Sequence, residues 1–162
     1  MVKQHGRFGM IAARARTVSA LLLLSGAVCA YAADSPLVLI SEREASLPAP
    51  SGSDAVSRAG VTRGPKVVLL SPAAGAPTKA PLHLQLKFET FSGARIDPAS
   101  VRVTYLRNPA VDLTQRLRSA TGPDGIDVPK AAVPPGHHDI RVEITDSHGR
   151  AGAATFALEL TR

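Results

Sequence analysis

Imidazoles are the side chains in this chain best suited to chemistry. His83, His137-His138 and His148 stand in or beside segments of alternating apolar residues, and a neutral imidazole ligates zinc or copper at about 2 Å. Spacing limits what they can do together. The run from Pro134 to Leu160 reads Pro134-Pro135-Gly136, then apolar Ile140, Val142 and Ile144 alternating with polar residues, then Asp146-Ser147-His148-Gly149-Arg150, then apolar Phe156, Leu158 and Leu160. If Gly136 opens an extended strand, the pair His137-His138 and His148 lie at its opposite ends. Ten residues at about 3.3 Å each separate them by roughly 30 Å, too far to share an ion.

Other reactive patterns are missing. No Ser stands in a Gly-x-Ser-x-Gly elbow, no His-Glu-x-x-His occurs, and the single cysteine is Cys29. No glycine loop opens a helix to cradle phosphate. The carboxylates are scattered singly rather than in the dense Asp-x-Asp spacing of a calcium loop. The pattern predicts no enzyme and calls for no cofactor.

The elements that must position these residues follow from parity. Lys66–Leu70 is a candidate first strand. Leu82, Leu84, Leu86 and Phe88 alternate with His83, Gln85, Lys87 and Glu89, which predicts a half-buried second strand. Val101, Val103 and Tyr105 mark a third, Val111–Leu117 a fourth and Gly125–Val128 a short fifth. The alternating runs around Ile140–Ile144 and Phe156–Leu160 are the sixth and seventh. Seven short strands separated by Ser-Pro, Ser-Gly, Asp-Pro and Asn-Pro breaks predict an all-β fold, a seven-stranded antiparallel immunoglobulin-like sandwich over residues 65–162. A jelly roll needs an eighth strand that the pattern does not supply.

Upstream, Lys3, Arg7, Arg14 and Arg16 precede an apolar stretch from Val18 to Ala30, and Ala30-Tyr31-Ala32 offers a small-x-small cleavage pattern. This predicts a signal peptide over residues 1–32, the stretch being shorter than the roughly 20 residues that span a bilayer. Cleavage near Ala32 is expected over lipidation of Cys29, which Val28 precedes, and it delivers a periplasmic or secreted chain with no transmembrane segment. Export also alters the charge. The whole chain carries 19 basic and 13 acidic residues. Four of the basic ones fall in the signal and none of the acidic ones do, leaving 15 against 13, or +2. No basic stripe with interleaved aromatics remains, so nucleic acid is set aside. Residues 33–64 read as an N-terminal segment with an apolar patch at Leu37–Ile40, then a flexible Ser/Ala/Pro/Gly-rich linker from Ser41 to Gly64.

From Pro65 to Leu160 the chain resembles the bacterial Ig-like and fibronectin-III-like modules of exported proteins. The resemblance rests on Asp97-Pro98-Ala99-Ser100-Val101 before the third strand, Pro135-Gly136-x-His138-x-Ile140-x-Val142 into the sixth, and Asp146-Ser147-His148-Gly149 in the last hairpin. In such modules an aromatic, often Tyr, sits two residues after the Gly that opens the sixth strand. His138 holds that place, which implies a packed corner residue with one ring nitrogen bonded to backbone. The antibody disulfide and buried Trp are absent, so the likeness is to the disulfide-free group, with Tyr105 the bulky residue on the third strand.

The topology so implied brings the starts of the second and sixth strands to one end, where His83 and His137/His138 are the alternative metal set of a periplasmic copper or zinc carrier. Their parities disagree, since His83 points outward and His138 inward, and both methionines lie in the signal. At the other end the connections bring together Phe91, Arg95, Asp124, His148 and Arg150. The function expected is a non-enzymatic module that binds a protein or cell-envelope component there. Two further surfaces are the outward face bearing Arg102, Thr104, Arg141 and Glu143, and the edge strands Lys66–Leu70 and Ala153–Leu160.

Overall fold

The computed structural model describes residues 35–50 and 64–162; the expected signal peptide and the linker residues 51–63 lie outside the described residues. Strands dominate, and they form two mixed sheets. In one, β1 (Leu37–Val38), β7 (Gly125–Ala132), β4 (Leu82–Glu89) and β2 (Lys66–Ser71) lie side by side. The other runs β3 (Thr78–Lys79), β9 (Ala151–Thr161), β8 (Gly136–Thr145), β5 (Arg102–Tyr105) and β6 (Val111–Asp112). The expectation of seven antiparallel strands therefore meets nine among the described residues. The two additional ones, β1 and β3, are two-residue strands that pair parallel with β7 and β9.

Parity decides which face is core. Leu82, Leu84, Leu86 and Phe88 of β4 are buried, as are Ile140, Val142 and Ile144 of β8, while His83 and Lys87 face solvent. A side-chain period of two turns every second residue inward, and the inward rows of both sheets join one apolar cluster.

Two bulges interrupt this parity. Between the pairs Leu84↔Val128 and Leu82↔Ala131, β7 carries one residue more than β4. The extra residue falls at Pro129–Lys130, where proline has no N–H to lose from the ladder. The strand thus continues to Ala132, beyond the Val128 expected from alternation. In β2 the register slips between Leu69 and Ser71, and Leu70 turns outward, 51% exposed.

Two further expectations differ from the structure for physical reasons. Val111–Leu117 is strand only at Val111–Asp112; Thr114–Leu117 is a helical turn, α2. Leu113 and Leu117, four residues apart, are both buried, and one helical turn puts such a pair on one face. Asp112 Oδ1 accepts the Thr114 N–H at 2.8 Å and fixes the start of the turn.

The second difference is at the N-terminus, where a linker was expected from Ser41. Ser41 instead caps a helical turn, α1 (Glu42–Ala45), in a reciprocal capping box with Glu44. Arg116 of α2 grips this segment, donating to both Glu44 carboxylate oxygens at 2.9 and 2.6 Å and to the Leu39 carbonyl at 2.8 Å. The Arg116 hydrogen bonds hold the Glu44 carboxyl down at about 2, against a smaller opposing effect of burial. Farther on, the Asn108 N–H donates to the Pro48 carbonyl at 3.0 Å. Leu39 and Ile40 are part of the core, 0% and 2% exposed.

Candidate partner-binding site

One end of the fold is built from the connection between β4 and β5 and the hairpin between β8 and β9. The hairpin turns at Gly149, whose positive φ of 74° suits a residue without Cβ. Its organiser is Asp146, whose side chain is fully enclosed. Asp146 Oδ1 accepts the N–H groups of His148 and Arg150 at 2.9 and 3.0 Å, and Oδ2 accepts Arg150 Nε at 2.8 Å. Burial works to raise the Asp146 pKa, but the bonds from Arg150 and His148 outweigh it and hold the group ionised below its usual range.

The same hairpin ties down the β4–β5 connection. Ser147 N–H donates to the Arg95 carbonyl at 2.8 Å, Arg95 N–H donates to Ser147 Oγ at 3.2 Å, and Ile96 bridges to Asp146. Arg150 Nη2 donates to the Phe91 carbonyl at 3.0 Å. Phe91 remains 41% exposed, with Lys66 Nζ 5.4 Å from its ring centroid in a cation–π contact. The connections that carry Phe91, Arg95, His148 and Arg150 thus meet at this end. Asp124 joins the same end of the first sheet, its carbonyl accepting the Phe88 N–H at 2.8 Å. Two members lie beyond the sequence expectation: Lys66, expected only as the start of an edge strand, and Asp146, expected only as a turn residue. The Asp-Ser-His-Gly-Arg spacing was the available signal, since an Asp side chain reaches backbone N–H groups two to four residues on.

At the opposite end the histidines part company. His83 lies on the outward face of the first sheet, 2.6 Å from Asp127. His137 lies on the outward face of the second, between Glu159 Oε1 at 2.5 Å and both Asp139 oxygens at 3.1 Å. His138 points inward, 1% exposed, with Nε2 on the Pro134 carbonyl and Nδ1 on the Tyr105 hydroxyl, both at 2.8 Å. Its ring nitrogens are occupied, and the opposed outward faces hold His83 and His137 apart. The alternative metal set His83, His137 and His138 is therefore not assembled. Among the described residues no group of three or more His, Cys, Asp or Glu is arranged to hold a metal ion.

The Glu159 hydrogen bond raises the His137 pKa, with smaller support from Asp139 against desolvation. A raised folded-state value means stability present below the unfolded pKa and lost as pH rises through the folded one. Because these side chains are about half exposed, the contribution is under about 1 kcal/mol. Glu159→Gln is expected to shrink the thermal-stability difference between pH 5.5 and pH 8.5 relative to the native protein; an unchanged difference counts against the pairing.

The other surfaces are placed simply. Arg102 opposes Glu143 and Thr104 opposes Arg141 across the β5–β8 ladder, and Arg141 pairs along its own strand with Glu143 at 2.9 Å. β2 is terminal in its sheet, while β3 covers β9 only at Leu160–Thr161.

Among the described residues no helix is long and apolar enough to cross a membrane. The chain matches no family model, no curated protein and no solved structure.

Proposed function

We propose that the protein is a non-enzymatic, exported immunoglobulin-like module that binds a protein or cell-envelope component through the end bearing Phe91, Arg95, His148 and Arg150. The observation that carries this reading is Phe91, a large aromatic left 41% exposed on a connection whose carbonyl is held by Arg150, itself paired with the buried Asp146 carboxylate. Rigid loops presenting an aromatic lose little entropy on binding, and such residues dominate interface energies. Arg95 adds a guanidinium with no ion pair among the described residues, and His148 an exposed imidazole.

The immunoglobulin-like part of the reading draws support from the antiparallel ladders. β2, β4 and β7 form one set and β9, β8, β5 and β6 the other, so seven strands divide three and four. In immunoglobulin domains the second-to-third and sixth-to-seventh connections, here 90–101 and 146–150, share the end used for binding. Export rests on the N-terminal basic and apolar pattern of residues 1–32.

The test is recovery of a partner from envelope extracts of expressing cells. Phe91→Ala is expected to weaken capture about thirtyfold, the loss of an anchor worth about 2 kcal/mol, at an unchanged melting temperature. Thr155→Ala, on the outward face of the second sheet, serves as the control. Equal recovery by both variants overturns the assignment of this end.

A further inference from the structure

The corner around His138 contains a hydrogen-bond chain whose direction is fixed. Arg107 has only donors, and its Nε lies 2.7 Å from the Tyr105 hydroxyl. That oxygen accepts from Arg107 and keeps one hydrogen to give, while the Pro134 carbonyl on the far side of the ring can only accept. A neutral His138 therefore carries its proton on Nε2, which donates to the Pro134 carbonyl, and its bare Nδ1 takes the Tyr105 hydrogen, 2.8 Å away. Every hydrogen in the chain is used once, and the chain holds only while His138 is neutral.

The far end of the chain is the connection between β5 and β6. Arg107 lies 4.9 Å over the Tyr105 ring and donates through Nη2 to the His137 carbonyl at 2.7 Å. Its neighbours bridge to two other elements: Leu106 N–H donates to the Asp139 carbonyl at 2.9 Å, and Asn108 N–H to the Pro48 carbonyl at 3.0 Å. The connection is thus the bracket that holds the Pro48 end of the N-terminal segment against the second sheet.

A second proton on His138 reverses one bond. Nδ1–H then faces Tyr105, whose hydroxyl must turn its hydrogen away and accept. One oxygen is left between two cationic donors, the imidazolium and the guanidinium, in a water-poor corner where such repulsion is strong. His138 is enclosed and cannot leave, whereas Arg107 is half-buried and can. We propose that His138 is a proton-operated latch: protonation expels Arg107 from Tyr105 and frees the 106–110 connection, together with the Pro48 end of the N-terminal segment it holds.

The other charged groups facing this corner are engaged elsewhere. His137 is held by Glu159 of β9 and by Asp139 of its own strand, and Glu44 by Arg116. The ring environment agrees with the geometry, because burial lowers the His138 pKa, with Arg107 and His137 adding to the effect against the Pro134 hydrogen bond. In the open form, with Arg107 gone, the ring binds a proton more readily than in the closed form. Opening therefore takes up one proton. Its equilibrium constant rises by up to about tenfold per pH unit as pH falls from the open-form pKa towards the closed-form one, and levels off below the latter. This device is independent of the partner reading.

The test is hydrogen exchange of the Leu106 and Asn108 amides in the protein isolated from expressing cells, corrected for the intrinsic pH dependence of exchange. Opening is expected to follow that slope in the native protein. In His138→Gln, where the amide retains an acceptor and a donor but cannot titrate, it should be flat. In His137→Gln it should keep the slope. A slope that persists in His138→Gln, or a flat native profile, overturns the proposal. Nitrogen chemical shifts of the native His138 ring keep the question decidable should the variant fail to fold. The proton is expected on Nε2 at pH 7.5, and the ring and the two amides should titrate with one midpoint. An Nδ1–H tautomer or separate midpoints overturn it as well.

Discussion

Replacing Leu39 with alanine is expected to remove about 2–5 kcal/mol of folding stability, the cost of emptying a fully enclosed leucine site. That is a large share of the roughly 5–15 kcal/mol that holds a domain together. The size of the effect follows from where the segment runs. Leu39 is 0% exposed and lines the core with residues of both sheets. Its N–H donates to the Ala132 carbonyl at 3.0 Å, and its own carbonyl receives Arg116. The surrounding backbone is held on both sides and cannot collapse into the space. Val38→Ala, one residue away on an exposed site, is the control and is expected to change stability by less than about 0.5 kcal/mol. Urea denaturation reads both as a shift in midpoint at constant slope. A Leu39→Ala midpoint equal to that of Val38→Ala would show that the N-terminal segment does not complete the core.

This segment also marks the limit of what the sequence disclosed. Alternation is visible without knowledge of neighbours, so β4, β5, β8 and β9 could be placed from Leu82–Phe88, Val101–Tyr105 and the two runs after Gly136. Leu37–Ile40 is too short to show a period, and its meaning depends on Arg116, which lies more than seventy residues downstream. Ser41-Glu42-Arg43-Glu44 did carry a local sign, the Ser-x-x-Glu capping box, hidden by the Ser- and Pro-rich residues that follow. α2 was obscured by Val111, whose β-branched side chain extends a strand pattern into Leu113–Leu117, where the i, i+4 pair belongs to a helical turn. At the candidate site, turn chemistry announced that His148 and Arg150 share a hairpin. The partnership of Lys66 with Phe91 could not be read, because it joins the start of one strand to the loop after another. The histidines show the reverse: parity alone separated His83 from His138, and their opposite faces kept them apart.

Gly152→Ala is expected to destabilise the protein by about 1–3 kcal/mol, through overpacking rather than backbone strain. A Cβ at this position runs into the Pro65 carbonyl oxygen, with the carbonyl carbon at 2.9 Å and Pro65 Cγ at 3.3 Å. The obstacle is main chain and cannot swing aside as a flexible side chain does. Pro65 leads directly into β2, which its ladder from Lys66↔Glu89 onward holds to β4. Gly152 is fixed equally firmly, since it opposes Ile144 in the β8–β9 ladder. The glycine therefore marks the place where the two sheets close upon each other, and a single methyl group must push β2 off β4 or β9 off β8. β2 gives way first, because it is terminal in its sheet whereas β9 has a ten-residue ladder with β8. Gly149→Ala separates this effect from ordinary glycine replacement. There the space is open and only the positive φ opposes a side chain, at about 1–2 kcal/mol. In hydrogen exchange Gly152→Ala should expose the amides of β2 while leaving the Asp146 hairpin protected, and Gly149→Ala should do the opposite. If Gly152→Ala unfolds within about 0.5 kcal/mol of the native protein, Pro65 does not press on β9 and the closure of the two sheets at this corner is wrong.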